Sequence, residues 1–228
     1  MIMEKKDIYN LILVFVVGIV GGLLAAHSYM VFNSKTFSPV SINKIEQTTY
    51  ITENESLEKG IEDARGSMVA IKGSKGVFSG IIITNDGLVA TAASNLGTGD
   101  KVFLAASGES VDYNVLKKDL AKDIAIIKIK KNQLSPVEFF DFDKLKAGKR
   151  IYTVSFFEDG EKFYDYANEG MIRSSKFPIE TDIVSGVEIP GSPVFDIENR
   201  LVGIAKRDGK GAIVITSSED IRVLARLD

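Results

Sequence analysis

The chain has 228 residues, 45% hydrophobic and 26% charged, enough for one substantial globular core plus an appendage. Its net charge is −3 and its 28 basic residues are scattered, which excludes a nucleic-acid track. With no cysteine and a single histidine, His27, the sequence excludes disulfides, thiol nucleophiles and Cys- or His-cluster metal sites, and leaves imidazole chemistry one candidate.

From Ile8 to Ser34 no side chain carries a charge, and Leu11 to Ala26 is apolar without a break. About 20 apolar residues at ~1.5 Å rise each match a hydrocarbon core ~30 Å thick. The reading is therefore a tail at 1–7, a transmembrane helix at 8–32 and a stalk at 33–55. Tyr9 and Tyr29 fit interfacial anchors, and His27 ends the span as an interfacial polar residue. Lys5 and Lys6 before the span, against Lys35 alone after it, favour a cytoplasmic N-terminus with the bulk of the chain outside the cytoplasm. A cleaved signal peptide, with Ala26-His27-Ser28 as its site, is the competing reading, although Tyr29-Met30-Val31-Phe32 prolongs the apolar stretch. Gly18, Gly22 and Ala26 form a small-residue stripe through which such helices can pair as an oligomer. The stalk is rich in Ser, Thr, Asn and Gln, and its end, Asn54-Glu55-Ser56, is a glycosylation sequon only in a eukaryotic secretory pathway.

The globular part, 56–228, opens with Ser56 as the cap of a short helix through Ala64. After Gly66 the pattern changes to short β-rich runs. These are Ser67 to Ile71, Val77 to Thr84, Leu88 to Ala92, Lys101 to Ala105, Val111 to Leu116 and Ile124 to Ile129. Then come Ile151 to Phe157, Gly170 to Ser174, Pro193 to Asp196, Leu201 to Ala205 and Ala212 to Thr216. Asn85-Asp86-Gly87 supplies the positive φ of a tight hairpin. Short strands separated by turn residues predict an all-β sandwich or barrels. Ser218-Glu219-Asp220 caps a closing helix that turns Ile221, Leu224 and Ala225 to one side.

Several stretches, in order, resemble the HtrA/Deg family of trypsin-like serine proteases. The hairpin is Phe78-Ser79-Gly80-Ile81-Ile82-Ile83-Thr84-Asn85-Asp86-Gly87-Leu88-Val89, and Ala121-Lys122-Asp123-Ile124-Ala125-Ile126-Ile127-Lys128-Ile129 is similar to the segment around the family's catalytic aspartate. Thr181-Asp182 through Pro193-Val194-Phe195-Asp196 lines up without a gap on the nucleophile stretch, and Leu201-Val202-Gly203-Ile204 on the strand after it. The resemblance covers about residues 56 to 228. It implies two six-stranded antiparallel β-barrels with a cleft between them, preceded here by the transmembrane helix and accompanied by short flanking helices. The family commonly carries a C-terminal PDZ module, and none is expected here after the closing helix.

Carried over position by position, the catalytic histidine of the resemblance falls on Ser94, the aspartate on Asp123 and the serine on Pro190. A triad needs a hydroxyl nucleophile, an imidazole base and an orienting carboxylate, and only the carboxylate remains. Proline also lacks the backbone N–H that in these proteases is one of two oxyanion donors. Losing one donor costs about 10²–10³ in rate, and losing nucleophile or base on the order of 10⁶. The other oxyanion position carries Glu188 where the family has glycine. Ser192 or Ser185 with Lys122 offers a Ser–Lys alternative, against the plainer reading of a turn serine and a solvated lysine. Glu188 with Asp123 is likewise read as a loop residue, not an acid/base pair, and Asp143, Asp159 and Asp165 lack calcium-loop spacing.

Without an imidazole, a carboxylate at the barrel interface needs other donors, so the expectation is a contact between Ser94 and Asp123. The expected function is a membrane-anchored pseudoprotease that binds a peptide or protein partner without cofactor, metal or nucleic acid. Ile189, Gly191 and Ser192 are its candidate cleft residues. A structural subunit of an envelope complex and an active serine-type endopeptidase with a non-standard nucleophile are the alternatives.

Overall fold

The computed structural model describes residues 5–34, 57–159, 162–184 and 191–227. The chain divides into two compact units, Met1–Ile51 and Thr52–Asp228. Nearly all of the expected stalk, with the sequon and the Ser56 cap, lies outside the described residues.

In the first unit, helix α1 spans Lys5–Ser34, slightly beyond the 8–32 expected. Its stretch Ile12–Met30 has a mean hydropathy of 2.1 and none of it is buried, so the helix is long and apolar enough to cross a membrane. A Cβ added at Gly18 or Gly22 would meet nothing within 4 Å.

The second unit is mostly β. A helix at 57–66, here α2, leads into β1 (Met68–Gly73), β2 (Gly76–Ile82), β3 (Leu88–Thr91), β4 (Lys101–Leu104), β5 (Ser110–Val111), β6 (Tyr113–Asp119) and β7 (Ile124–Ile129). Their order in the sheet is β5-β4-β1-β2-β3-β7-β6. The end strands β5 and β6 do not pair with each other. They are parted only by Asp112, so one bent segment leaves β4 and joins β7, curling the sheet into a half-barrel. The β2–β3 turn is held as its sequence requires. Gly87 has φ +98°, and a Cβ there would lie 2.7 Å from the Ile129 carbonyl oxygen, so glycine is required on both counts.

The following strands are β8 (Glu138–Phe139), β9 (Arg150–Asp159), β10 (Lys162–Ser174), β11 (Ile179–Thr181), β12 (Pro193–Asp196), β13 (Arg200–Arg207) and β14 (Ile213–Ser217). Six of them form a closed ring, β12-β9-β10-β11-β14-β13, because β12 also pairs with β13, and β8 adds in parallel to β13. The trypsin-like fold is thus present as one closed barrel and one half-barrel, where two six-stranded barrels were expected. Helix α3 (Ser218–Ala225) closes the chain, capped by Ser217 one residue before the expected cap, whose Oγ accepts from the Asp220 N–H.

Three buried clusters hold the unit. One fills the half-barrel around Val69, Ile82 and Ile127, and another the closed barrel around Ile151, Ile179 and Val202. The third lies between them and draws on both: Met68, Ile81 and Ile126 meet Tyr152, Phe156 and Phe195, with Ala64 of α2 and Ile221 of α3. Ser79 bridges the sheets within it, its buried Oγ accepting from the Phe156 N–H at 3.2 Å. This shared layer fixes the two barrels against each other, and the candidate site sits at their junction.

Candidate functional site

Ser94 lies in the turn after β3, and Asp123 closes the turn between β6 and β7 with φ +55°. Their contact is the one expected. The Ser94 N–H donates to Asp123 Oδ1 at 2.7 Å and its Oγ donates to Oδ2 at 2.9 Å, so one residue satisfies both carboxylate oxygens. On the other side of Ser94, the Lys75 ammonium donates to its carbonyl oxygen at 2.7 Å.

The closed barrel grips the Asp123 turn from behind. The Lys122 carbonyl oxygen accepts from Thr216 Oγ1 at 2.8 Å and from Lys206 Nζ at 3.5 Å. Lys122 Nζ is ion-paired to Asp220 of α3 at 2.5 Å. That hydrogen bond to the Asp220 carboxylate holds the ammonium above its ordinary pKa.

Gly191 brings the third aligned segment to the same place. It has φ +93°, and a Cβ on it would come within 2.9 Å of Asn95 Nδ2 and 3.1 Å of Ala92 Cβ. Its N–H donates to the Ala205 carbonyl at 2.7 Å, and the Ser192 carbonyl accepts from the Ala205 N–H at 2.9 Å. The residue after the aligned nucleophile position therefore packs on the turn that carries Ser94. Pro190, Glu188, Ile189 and Ser185 lie outside the described residues. Of the candidate cleft residues, Gly191 and Ser192 are both buried, Ser192 completely. Asp143 and Asp165 belong to different elements, and Asp165 is paired to Arg65. Among the described residues no three His, Cys, Asp or Glu side chains are grouped to hold a metal.

Sequence reasoning missed Lys75 and Asp220. Each acts on the site from a distant part of the chain, Lys75 from the β1–β2 turn and Asp220 from α3, where the sequence marks it only as part of a helix cap.

The family described as "Trypsin-like peptidase domain" matches residues 78–204, more than half of the chain. Among curated proteins, the chain is 27% identical over 138 residues to a "Probable periplasmic serine endoprotease DegP-like" of Pseudomonas fulva (strain 12-X). It is 28% identical over 138 residues to proteins of the same description from Pseudomonas putida strains GB-1 and W619. The matched stretch is 55% of this chain and 28% of each of these relatives.

Proposed function

The chain belongs to the trypsin-like peptidase domain family, and we propose that within it this protein is a pseudoprotease: a membrane-anchored member that binds peptide or protein segments and does not cut them. The observation that carries the reading is the pair Ser94–Asp123. By the resemblance the carboxylate falls at the position from which the family orients its imidazole, and here a serine takes up both of its oxygens. The sequence's single histidine lies in α1, in the other unit. The Ser–Lys alternative is disfavoured because Ser192 is buried and Lys122 is committed to Asp220.

Peptide binding is supported by the strand-rich scaffold, because an exposed strand edge accepts an extended peptide without any chemistry. Anchoring rests on the apolar stretch Ile12–Met30, and the Lys5/Lys6 flank favours a cytoplasmic N-terminus. The relatives named as periplasmic are consistent with a globular part outside the cytoplasm. The test is to treat the full chain, purified in detergent, with a fluorophosphonate probe and with unfolded casein. No labelling and no cleavage are expected. Labelling that Ser192→Ala or Ser185→Ala abolishes would establish a hydrolase in place of this reading.

A further inference from the structure

One face of the β9–β10 ribbon changes character along its length. Register pairs Ile151 with Gly170, Thr153 with Asn168, Ser155 with Tyr166 and Phe157 with Tyr164. Alternate residues share a face, so these pairs form one row. At its base Ile151 belongs to the core of the closed barrel. Next, Thr153 is fully buried, and among the described residues neither its Oγ1 nor the buried Nδ2 of Asn168 has a hydrogen-bond partner. Beyond them Tyr166 is 45% exposed, Tyr164 43% and Phe157 36%, with the rings of Phe157 and Tyr164 stacked at 5.4 Å. Orphaned polar atoms beside exposed aromatics are costly to keep without an occupant.

The outer edge of β10 is open over the same stretch. The Phe156 N–H turns away from β10 to reach Ser79, and Met171 turns its N–H and C=O outward to Asp182. Alternation then points the N–H and C=O of Asp165 and Ala167 away from β9. Among the described residues no strand pairs with this edge, and residues 164–167 are all exposed. Between Tyr164 and Ala167 the edge carries no proline or lysine, and its one charged side chain, Asp165, is paired to Arg65.

We infer that β10 is the peptide-binding edge, taking an extended segment as an added antiparallel strand. The inference rests on the peptide-binding reading above and gives it a location and a preference. Asp165 and Ala167 supply the main-chain hydrogen bonds. Every second side chain of the added strand then lies beside the row of Tyr164, Tyr166 and Asn168. The tyrosine rings favour apolar side chains there. Asn168 Nδ2 donates only, so a side chain placed against it must bring an acceptor, which the carboxamide of a Gln or Asn supplies. The recognised pattern is a Gln or Asn followed at alternate positions by two apolar residues.

The test is fluorescence anisotropy of the full chain in detergent with a labelled peptide, Gly-Gln-Thr-Leu-Thr-Leu-Gly. Ala167→Pro removes one outward N–H and leaves the pairing with β9, made by the even-numbered residues, in place. It is expected to weaken binding roughly tenfold or more without lowering the melting temperature, and Tyr166→Thr to weaken it by a smaller factor. Tyr166→Thr carries the test alone if the proline variant does not fold. The double variant Thr153→Val/Asn168→Leu is expected to lose the preference for Gln over Leu at the second position. Unchanged affinity in both edge variants, with binding abolished by Ser94→Trp, would move the peptide to the cleft and overturn this assignment alone. Absence of binding to this peptide and to a randomised library of extended peptides would overturn the peptide-binding reading with it.

Discussion

Ser94 offers Asp123 a backbone N–H and a hydroxyl together, an economical substitute for an imidazole. Because the backbone bond survives truncation, Ser94→Ala removes only one of two donors. Partial exposure lets water replace it, so a cost of about 1 kcal/mol is expected by chemical denaturation. Asp123→Asn, which removes the charge both donors address, is expected to cost more. Asp196 is a different kind of carboxylate, fully buried at the β12–β13 turn. Burial pushes its pKa up, but hydrogen bonds from the Arg200 side chain and backbone, helped by Lys149, leave it below the ordinary value. A depressed native pKa contributes stability that is complete above the unfolded value of about 3.9 and is lost as pH falls through the native one. Unfolding free energy should therefore drop on acidification below about pH 4, and Asp196→Asn should flatten that part of the profile while lowering stability at neutral pH. A profile unchanged by the substitution would show that Asp196 is not the group responsible.

At the scale of elements, α3 is short but tied down at both ends. Ser217 caps it, Asp220 ion-pairs to Lys122, and the Leu224 carbonyl accepts from Lys117 Nζ at 2.7 Å. Ile221 is its buried anchor in the layer between the barrels. Ser217→Ala should cost about 1 kcal/mol, and Ile221→Ala about 2–5 kcal/mol with loss of the docked helix. Since α3 carries Asp220 to Lys122, the second variant should also loosen the Asp123 turn, seen as faster amide exchange there. Elements of this kind were legible from the sequence, because a capping serine and an apolar stripe are local signals. So was the β2–β3 hairpin, through Asn85-Asp86-Gly87. The N-terminal half of β10 was not: only its last residues, 170–174, read as strand. From Tyr164 to Ala167 the ribbon is exposed, so no buried face imposes a two-residue apolar alternation. The short strands β8 and β11 were missed for a related reason, since runs of two or three residues take their conformation from the neighbour they pair with. The Ser94–Asp123 contact was foreseeable only through the family resemblance, which brought together residues 29 apart in the chain.

For the whole molecule, the two units make separate claims. If α1 is a retained anchor, the full chain should stay with the membrane through an alkaline carbonate wash. Release of a shortened, soluble chain would show that the helix is a cleaved signal. The second unit poses a question about cooperativity, because it holds two barrels, each with a buried cluster of its own. Separate cores would permit separate unfolding. The third cluster argues against that, since its buried residues come from both sheets and from α2 and α3, and Tyr152, Phe156 and Phe195 are each within 1% of full burial. Parting the barrels would expose this layer at about 25 cal/mol for each Å² of apolar surface and break the Ser79–Phe156 bond, so a half-folded state stands well above both ends. Denaturant unfolding followed by far-ultraviolet dichroism and by the fluorescence of Tyr113 in the half-barrel and Tyr152 in the closed barrel, each kept in turn as the domain's sole tyrosine, should give coincident transitions. Separated midpoints would mean that the layer between the barrels binds them more weakly than its burial implies.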